Sequence, residues 1–144
     1  MHDDRKEIPK IPIPCVRVIA LNQDRRILVL QRALESYKGG EWCLPGGKID
    51  YNETPEQAVA RELWEETGLA SYEEHFLGFQ NSLPLTLDGM HAINFYYSCK
   101  AEGSLILNSE SISSRWLDLE EALRFPLEFG NNWGIQLFAQ KSFH

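Results

Sequence analysis

The first clear pattern along the chain is Cys15–Leu21 (CVRVIAL), a β-branched, apolar run that predicts a strand. Asn22-Gln23-Asp24 follows as a turn signal, and Ile27–Leu30 resumes the strand pattern. Residues 15–32 therefore read as a β-hairpin, preceded by an extended, Pro-containing lead-in over residues 1–14. Ser36–Gly40 reads as a loop, and Trp42-Cys43-Leu44 as a short apolar stretch closed by Pro45-Gly46-Gly47. A helix is predicted over Pro55–Thr67. Thr54 is its N-cap, Pro55 suits its first position, Gln57 completes a capping box, and Gly68 supplies the left-handed stop. Val59, Ala60, Leu63 and Trp64 are its core-facing residues. Beyond it, Phe76–Phe79 is a strand and residues 81–90 a turn-rich connection. His91–Lys100 alternates, with Ile93, Phe95, Tyr97 and Cys99 on one face and Asn94 and Ser98 on the other. Arg115–Leu117 is a short strand, Asp118 caps a helix starting in 118–123, and Asn131–Lys141 forms a last helix despite Gly134. Strands before and after a central helix indicate an α/β or α+β domain.

Length and composition narrow the classes. A chain of 144 residues is one domain, residues 1–144, long enough to bury a core without staples. The net charge of −7 speaks against wrapping duplex nucleic acid, which needs clustered Lys and Arg. It leaves room for a small phosphorylated ligand bridged by a divalent cation. Cys15, Cys43 and Cys99 are odd in number and widely spaced, so neither a disulfide framework nor a zinc site is expected. With no apolar leader pattern and no membrane-length run, a cytoplasmic protein away from membranes is expected.

Charge is uneven along the chain. Residues 47–69 carry −4 of the total: Asp50, Glu53, Glu56, Glu62, Glu65 and Glu66 against Lys48 and Arg61. On a helix Glu62, Glu65 and Glu66 fall at i, i+3 and i+4, within an arc of about 100°. Like charges so placed repel. Arg61 offsets one of them, and a bound divalent cation with oxygen-ligand preference, such as Mg²⁺ or Mn²⁺, would offset the rest. Alone, such a triplet is also how a solvated acidic face looks. Here Pro45-Gly46-Gly47 lies just upstream, where backbone can approach a ligand closely.

Gly47, Glu53, Arg61, Glu62, Leu63, Glu65, Glu66, Gly68 and Leu69 fill the pattern G-x5-E-x7-R-E-U-x-E-E-x-G-U, in which U is a bulky aliphatic residue. The sequence therefore resembles the Nudix hydrolase family, over a 23-residue motif and the flanking strands. The resemblance implies an α/β/α sandwich around a mixed β-sheet and hydrolysis of a nucleoside diphosphate linked to a group X. It implies that Glu62, Glu65 and Glu66, with the Gly46 or Gly47 carbonyl, hold Mg²⁺. Glu53 and Arg61 would orient helix and loop. Glu110, six residues before Trp116, resembles a further family carboxylate, so Glu62 and Glu110 are rival proton acceptors. Arg32 resembles a phosphate-contacting Arg, and Lys48 is a second phosphate candidate. His91 opens a strand near the expected cleft, and Tyr37, Trp42, Tyr96 and Phe129 are candidates to stack a base.

The short chain resembles members that cleave nucleoside triphosphates to monophosphate and pyrophosphate. An ADP-ribose or nucleotide-sugar hydrolase comes second, a non-catalytic nucleotide-binding regulator third. Pro84, fifteen residues past Leu69, has a counterpart in the ADP-ribose branch but reads first as a turn residue. The expected partner is a small nucleotide, and a homodimer stays open.

Overall fold

The computed structural model describes residues 10–86 and 89–142. Seven strands and three helices run in the order β1 (Ile13–Leu21), β2 (Ile27–Arg32), β3 (Trp42–Cys43), β4 (Gly46–Lys48), α1 (Pro55–Thr67), β5 (Ala70–Ser82), β6 (Ala92–Glu102), β7 (Ser111–Leu117), α2 (Leu119–Arg124) and α3 (Asn131–Ser142). The sheet order is β3-β2-β1-β6-β5, with β4 added to β1 and β7 to β2. The sheet is mixed: β1 and β6 are parallel, and the other pairings are antiparallel.

Strand alternation divides the core in two. Val16, Val18 and Ala20 of β1 join Tyr97 and Cys99 of β6 against Val59 and Leu63 of α1. Ile19 and Leu21 face the other way, where Tyr96 meets Ile135 and Phe138 of α3 and Ala122 of α2. A sheet covered on both faces buries successive residues of its central strands, which explains the unbroken apolar run of β1. Asn94 and Ser98 are buried for the same reason, on the face opposite Phe95, Tyr97 and Cys99.

The central helix forms as its caps dictate. The Thr54 side chain accepts from the Gln57 N–H, the Gln57 side chain accepts from the Thr54 N–H, and Gly68 closes the helix at φ 70°. The buried stripe differs from expectation. Val59 and Leu63 are fully buried, but Ala60 is exposed and Trp64 is 62% exposed; Ala58, Glu66 and Thr67 complete the inward face. A stripe of period 3.6 centred on Val59 and Leu63 continues through Glu66 and Thr67, one step away from Trp64.

Other departures are of extent. β5 runs over Ala70–Ser82, not only Phe76–Phe79, and takes the start of the supposed 81–90 connection. β7 begins at Ser111, four residues before Arg115, in a stretch whose one apolar residue is Ile112. The β1–β2 hairpin is nominal, because the strands pair only at Leu21 and Ile27 before β2 turns to β7. The first strand already starts at Ile13, inside the expected lead-in, whose residues 1–9 lie outside the described residues. Gly134 is tolerated inside α3 because a Cβ there would come within 2.1 Å of the Tyr96 ring. No helix among the described residues is long and apolar enough to cross a membrane.

Candidate active site

The site forms where β4 and the loop after it meet the inward face of α1. β4 pairs with β1 through Val16 and Arg17, which fixes Gly46 and Gly47 against the sheet. Neither position has room for a side chain. At Gly46 (φ 153°) a Cβ would fall 2.0 Å from the Val16 carbonyl oxygen. At Gly47 it would lie 2.6–2.9 Å from the Glu62 carboxylate. The glycine pair thus leaves a cradle facing α1.

Two glutamates fill the α1 side of that cradle. Glu66 is 8% exposed, and its Oε2 accepts from the Gly46 N–H at 3.1 Å. Burial, reinforced by the negative charge of Glu62, pushes the Glu66 carboxyl up to about 8. Burial also raises Glu62 above the usual carboxylate range, against the opposing effect of Arg61; Glu65 and Glu110 add to the rise. These are hard oxygen donors destabilised as anions, and so they fit a hard divalent cation. Among the described residues, no three acidic, His or Cys side chains converge on one point as they stand.

Arg61 is the hub of the loop. Its Nε and Nη2 donate to the two oxygens of Glu53 at 2.7 and 2.9 Å, a bidentate pair. Nη2 also donates to the Lys48 carbonyl at 2.9 Å, and Nη1 to Glu62 at 3.0 Å and Glu65 at 3.3 Å. Asp50 lies 3.3 Å from Nε, and its N–H donates to Glu53. These contacts clamp residues 48–53 onto the helix. The Arg61 hydrogen bonds hold the Glu53 carboxyl below its ordinary range, and Glu53 in turn raises Arg61.

A pocket of about 730 Å³ opens over the cradle. The structure brings Glu62, Glu66, Glu110, Gly47, Lys48 and Arg32 together in its walls. Glu53, Arg61 and Glu65 stand behind it or beside it. The Glu65 side chain is 53% exposed and turned to Arg61. Glu110 sits in the turn before β7, its backbone tied to Asn108 and Ala33. Of the candidate stacking residues, Tyr37 and Phe129 line the pocket with ring centroids 6.4 Å apart. Trp42 instead packs edge-on against Phe125, and Tyr96 is buried in the core. His91 lines neither this pocket nor its neighbour.

Sequence reasoning passed over Asp50, Cys15 and Arg17, all of which line the pocket. Arg17 had a signal: a lone cation in the middle of an apolar strand, 9% exposed in the structure.

Residues 12–138 match the family model of the NUDIX domain. The chain belongs to the Nudix family. It is thus a hydrolase of pyrophosphate bonds, the chemistry that family members share. It is similar to a MutT-like protein of Streptomyces ambofaciens, 35% identical over 119 residues, covering 81% of this chain and 71% of that one. It is 31% identical over 118 residues to a CTP pyrophosphohydrolase of Escherichia coli, covering 78% and 82%. Among solved structures, a MutT protein from Methanosarcina mazei superposes with a TM-score of 0.80 at 26% identity, covering 96% of this chain and all of that one. The α/β/α arrangement is therefore the Nudix fold.

Proposed function

We propose that this Nudix hydrolase is a divalent-metal-dependent nucleoside triphosphate pyrophosphohydrolase, releasing nucleoside monophosphate and pyrophosphate. One observation carries the reading. Glu66, buried, and Glu62, half-buried, both resist ionisation and face a side-chain-free glycine cradle in a pocket that also presents Lys48 and Arg32.

In this reading Glu62, Glu65 and Glu66, with the Gly47 carbonyl, would hold Mg²⁺ or Mn²⁺. Such a cation supplies charge neutralisation at the diphosphate and makes water more acidic. Lys48 and Arg32 add fixed positive charge for phosphate oxygens. Water attacks the α- or the β-phosphorus, the anhydride bond between those two breaks so that monophosphate and pyrophosphate separate, and a carboxylate takes the water proton. Glu62 and Glu110, both in the pocket wall, are the two candidate carboxylates for that transfer. Glu53 and Arg61 touch no substrate; they hold the loop and helix in register.

The relatives support this substrate class, since the Escherichia coli protein is named for cleaving CTP. An ADP-ribose or nucleotide-sugar substrate is the second reading, favoured by Pro84, which lines a second pocket beside the first. A panel of nucleotides incubated with Mg²⁺ and resolved by product chromatography tests both. Monophosphate plus pyrophosphate from triphosphates is the expected outcome. Cleavage confined to ADP-ribose or nucleotide sugars would replace the reading with the second, and no cleavage of any substrate would overturn both.

A further inference from the structure

Beside the first pocket lies a second of about 770 Å³, and Arg17, Tyr37, Met90 and Phe129 belong to both. Its walls come from the connection after β5, including Leu83, Pro84 and Leu85, and from the segment before α3. Its buried polar groups are Arg17 and Asn94. Among the described residues, the Arg17 side chain makes one hydrogen bond, from Nε to Asn94 Oδ1 at 3.2 Å. A guanidinium cannot accept, so this bond fixes the amide orientation: Asn94 must turn its oxygen to Arg17. Asn94 Nδ2 is then left buried and without a partner, in a residue 1% exposed. A buried donor without a partner costs free energy that a ligand can return.

The pair therefore offers mostly donors. Arg17 Nε takes one lone pair of the Asn94 oxygen, and the donors left over are Nδ2 and the two terminal nitrogens of Arg17. Phe129 keeps the guanidinium planes in place. Arg17 and Arg32 both stack on its ring, 5.2 and 5.1 Å from the centroid. Phe129 itself is held at φ 60°, a left-handed conformation that a bulky residue rarely adopts, followed by Gly130 at φ 68°. That turn carries the ring to the boundary between the pockets.

We infer that Arg17 and Asn94 select the substrate by the polarity of its base, taking an edge that presents acceptors over one that presents an amino group. This deepens the proposed hydrolysis of nucleoside triphosphates and rests on it. A 6-oxopurine offers O6 and N7 side by side, the pattern a guanidinium reads with two bonds. A 6-aminopurine keeps N7 but puts an N–H donor where O6 would accept, so one of the two bonds is lost and a donor faces a donor. Lys38 and Glu128, paired at 3.9 Å on the rim, leave the buried end to the Arg17–Asn94 pair.

The test compares dITP with dATP, which differ at the 6-substituent and the N1 proton. The expected kcat/KM favours dITP by roughly tenfold to a hundredfold. Asn94→Leu should bring that ratio towards one. Asn94→Asp, which supplies an acceptor and neutralises Arg17, should move it towards dATP. Melting curves identify any variant that fails to fold, and the two variants act in different directions, so general damage cannot imitate both. Equal kcat/KM for the two nucleotides, or a ratio unmoved in both folded variants, would overturn the inference while leaving the hydrolysis reading intact. If no triphosphate is cleaved, the hydrolysis reading fails instead. Calorimetric binding of dIDP against dADP then reads the pocket directly: tighter dIDP supports the inference, and equal affinity removes it.

Discussion

Glu53 and Glu66 are the same residue on two sides of one loop, and their environments drive them apart. Glu53 meets a bidentate guanidinium, which holds its carboxyl below the ordinary range. Glu66 meets the Gly46 N–H, the charge of Glu62 and little water, and is pushed up to about 8. One negative charge is neutralised by the chain itself, and the other waits for something outside the chain. The difference separates a carboxylate that builds the site from one that serves it. A group stabilised as an anion by Arg61 has little left to give a cation, whereas a buried, repelled carboxylate gains from one.

The largest break in that contrast is Glu66→Gln. It should reduce kcat at least about a hundredfold and abolish the rise in melting temperature that Mg²⁺ gives the parent. The metal-free protein should melt no lower, since the cost of burying an ionisable acid is lost and the Gln carbonyl can still accept from the Gly46 N–H. A clear drop in the metal-free melting temperature would make Glu66 structural instead.

Glu65→Gln comes next. Its side chain must leave Arg61 to reach a cation, so the expected loss in kcat is also about a hundredfold, with a weaker Mg²⁺ dependence. Near-normal turnover would confine the metal carboxylates to Glu62 and Glu66.

Glu53→Gln attacks the other side. It breaks the Arg61 clamp, so the metal-free melting temperature should fall by a few degrees, as expected for losing about 1 kcal/mol in a chain of this size. An unchanged melting temperature would show that the clamp adds nothing to stability.

A pH series sharpens the contrast without a mutation. The ordinary value for the Glu66 carboxyl is 4.5, and its folded value is about 8. The folded state therefore holds this proton more tightly. The stabilisation is fully present below pH 4.5 and is lost as pH rises towards 8. Glu53 runs the opposite way: lowered on folding, it stabilises above the ordinary carboxylate range and loses that effect only in acid. Metal-free melting temperatures measured from pH 5 to 9 should fall more steeply for the parent than for Glu66→Gln. Superimposable curves would refute the assignment. The smallest effect concerns the proton acceptor: with Glu110→Gln, an unchanged pH–rate profile into alkaline pH would leave Glu62 as the base.

Much of the site was legible because its parts are local. Thr54, Pro55, Gln57 and Gly68 define their helix through contacts within a few residues, and the structure reproduces its bounds. The clamp from Arg61 to Glu53 and Glu65 spans no more than eight residues. By contrast, Ala60 and Trp64 were misassigned because both sides of a half-polar helix hold apolar residues, and only the neighbouring strands decide which is covered. The strand part of β7 over Ser111–Ser114 was illegible, since β2 rather than local propensity draws it into the sheet.

What the sequence determined by itself was the carboxylate helix, its caps and the glycine pair before it, because hydrogen bonds and sterics between near neighbours set them. The tertiary structure alone decided which carboxylates lose water, and that Arg17 and Asn94, 77 positions apart, meet at the edge of one pocket. Desolvation and long-range pairing depend on what packs from elsewhere in the chain, and one-dimensional spacing carries no record of that.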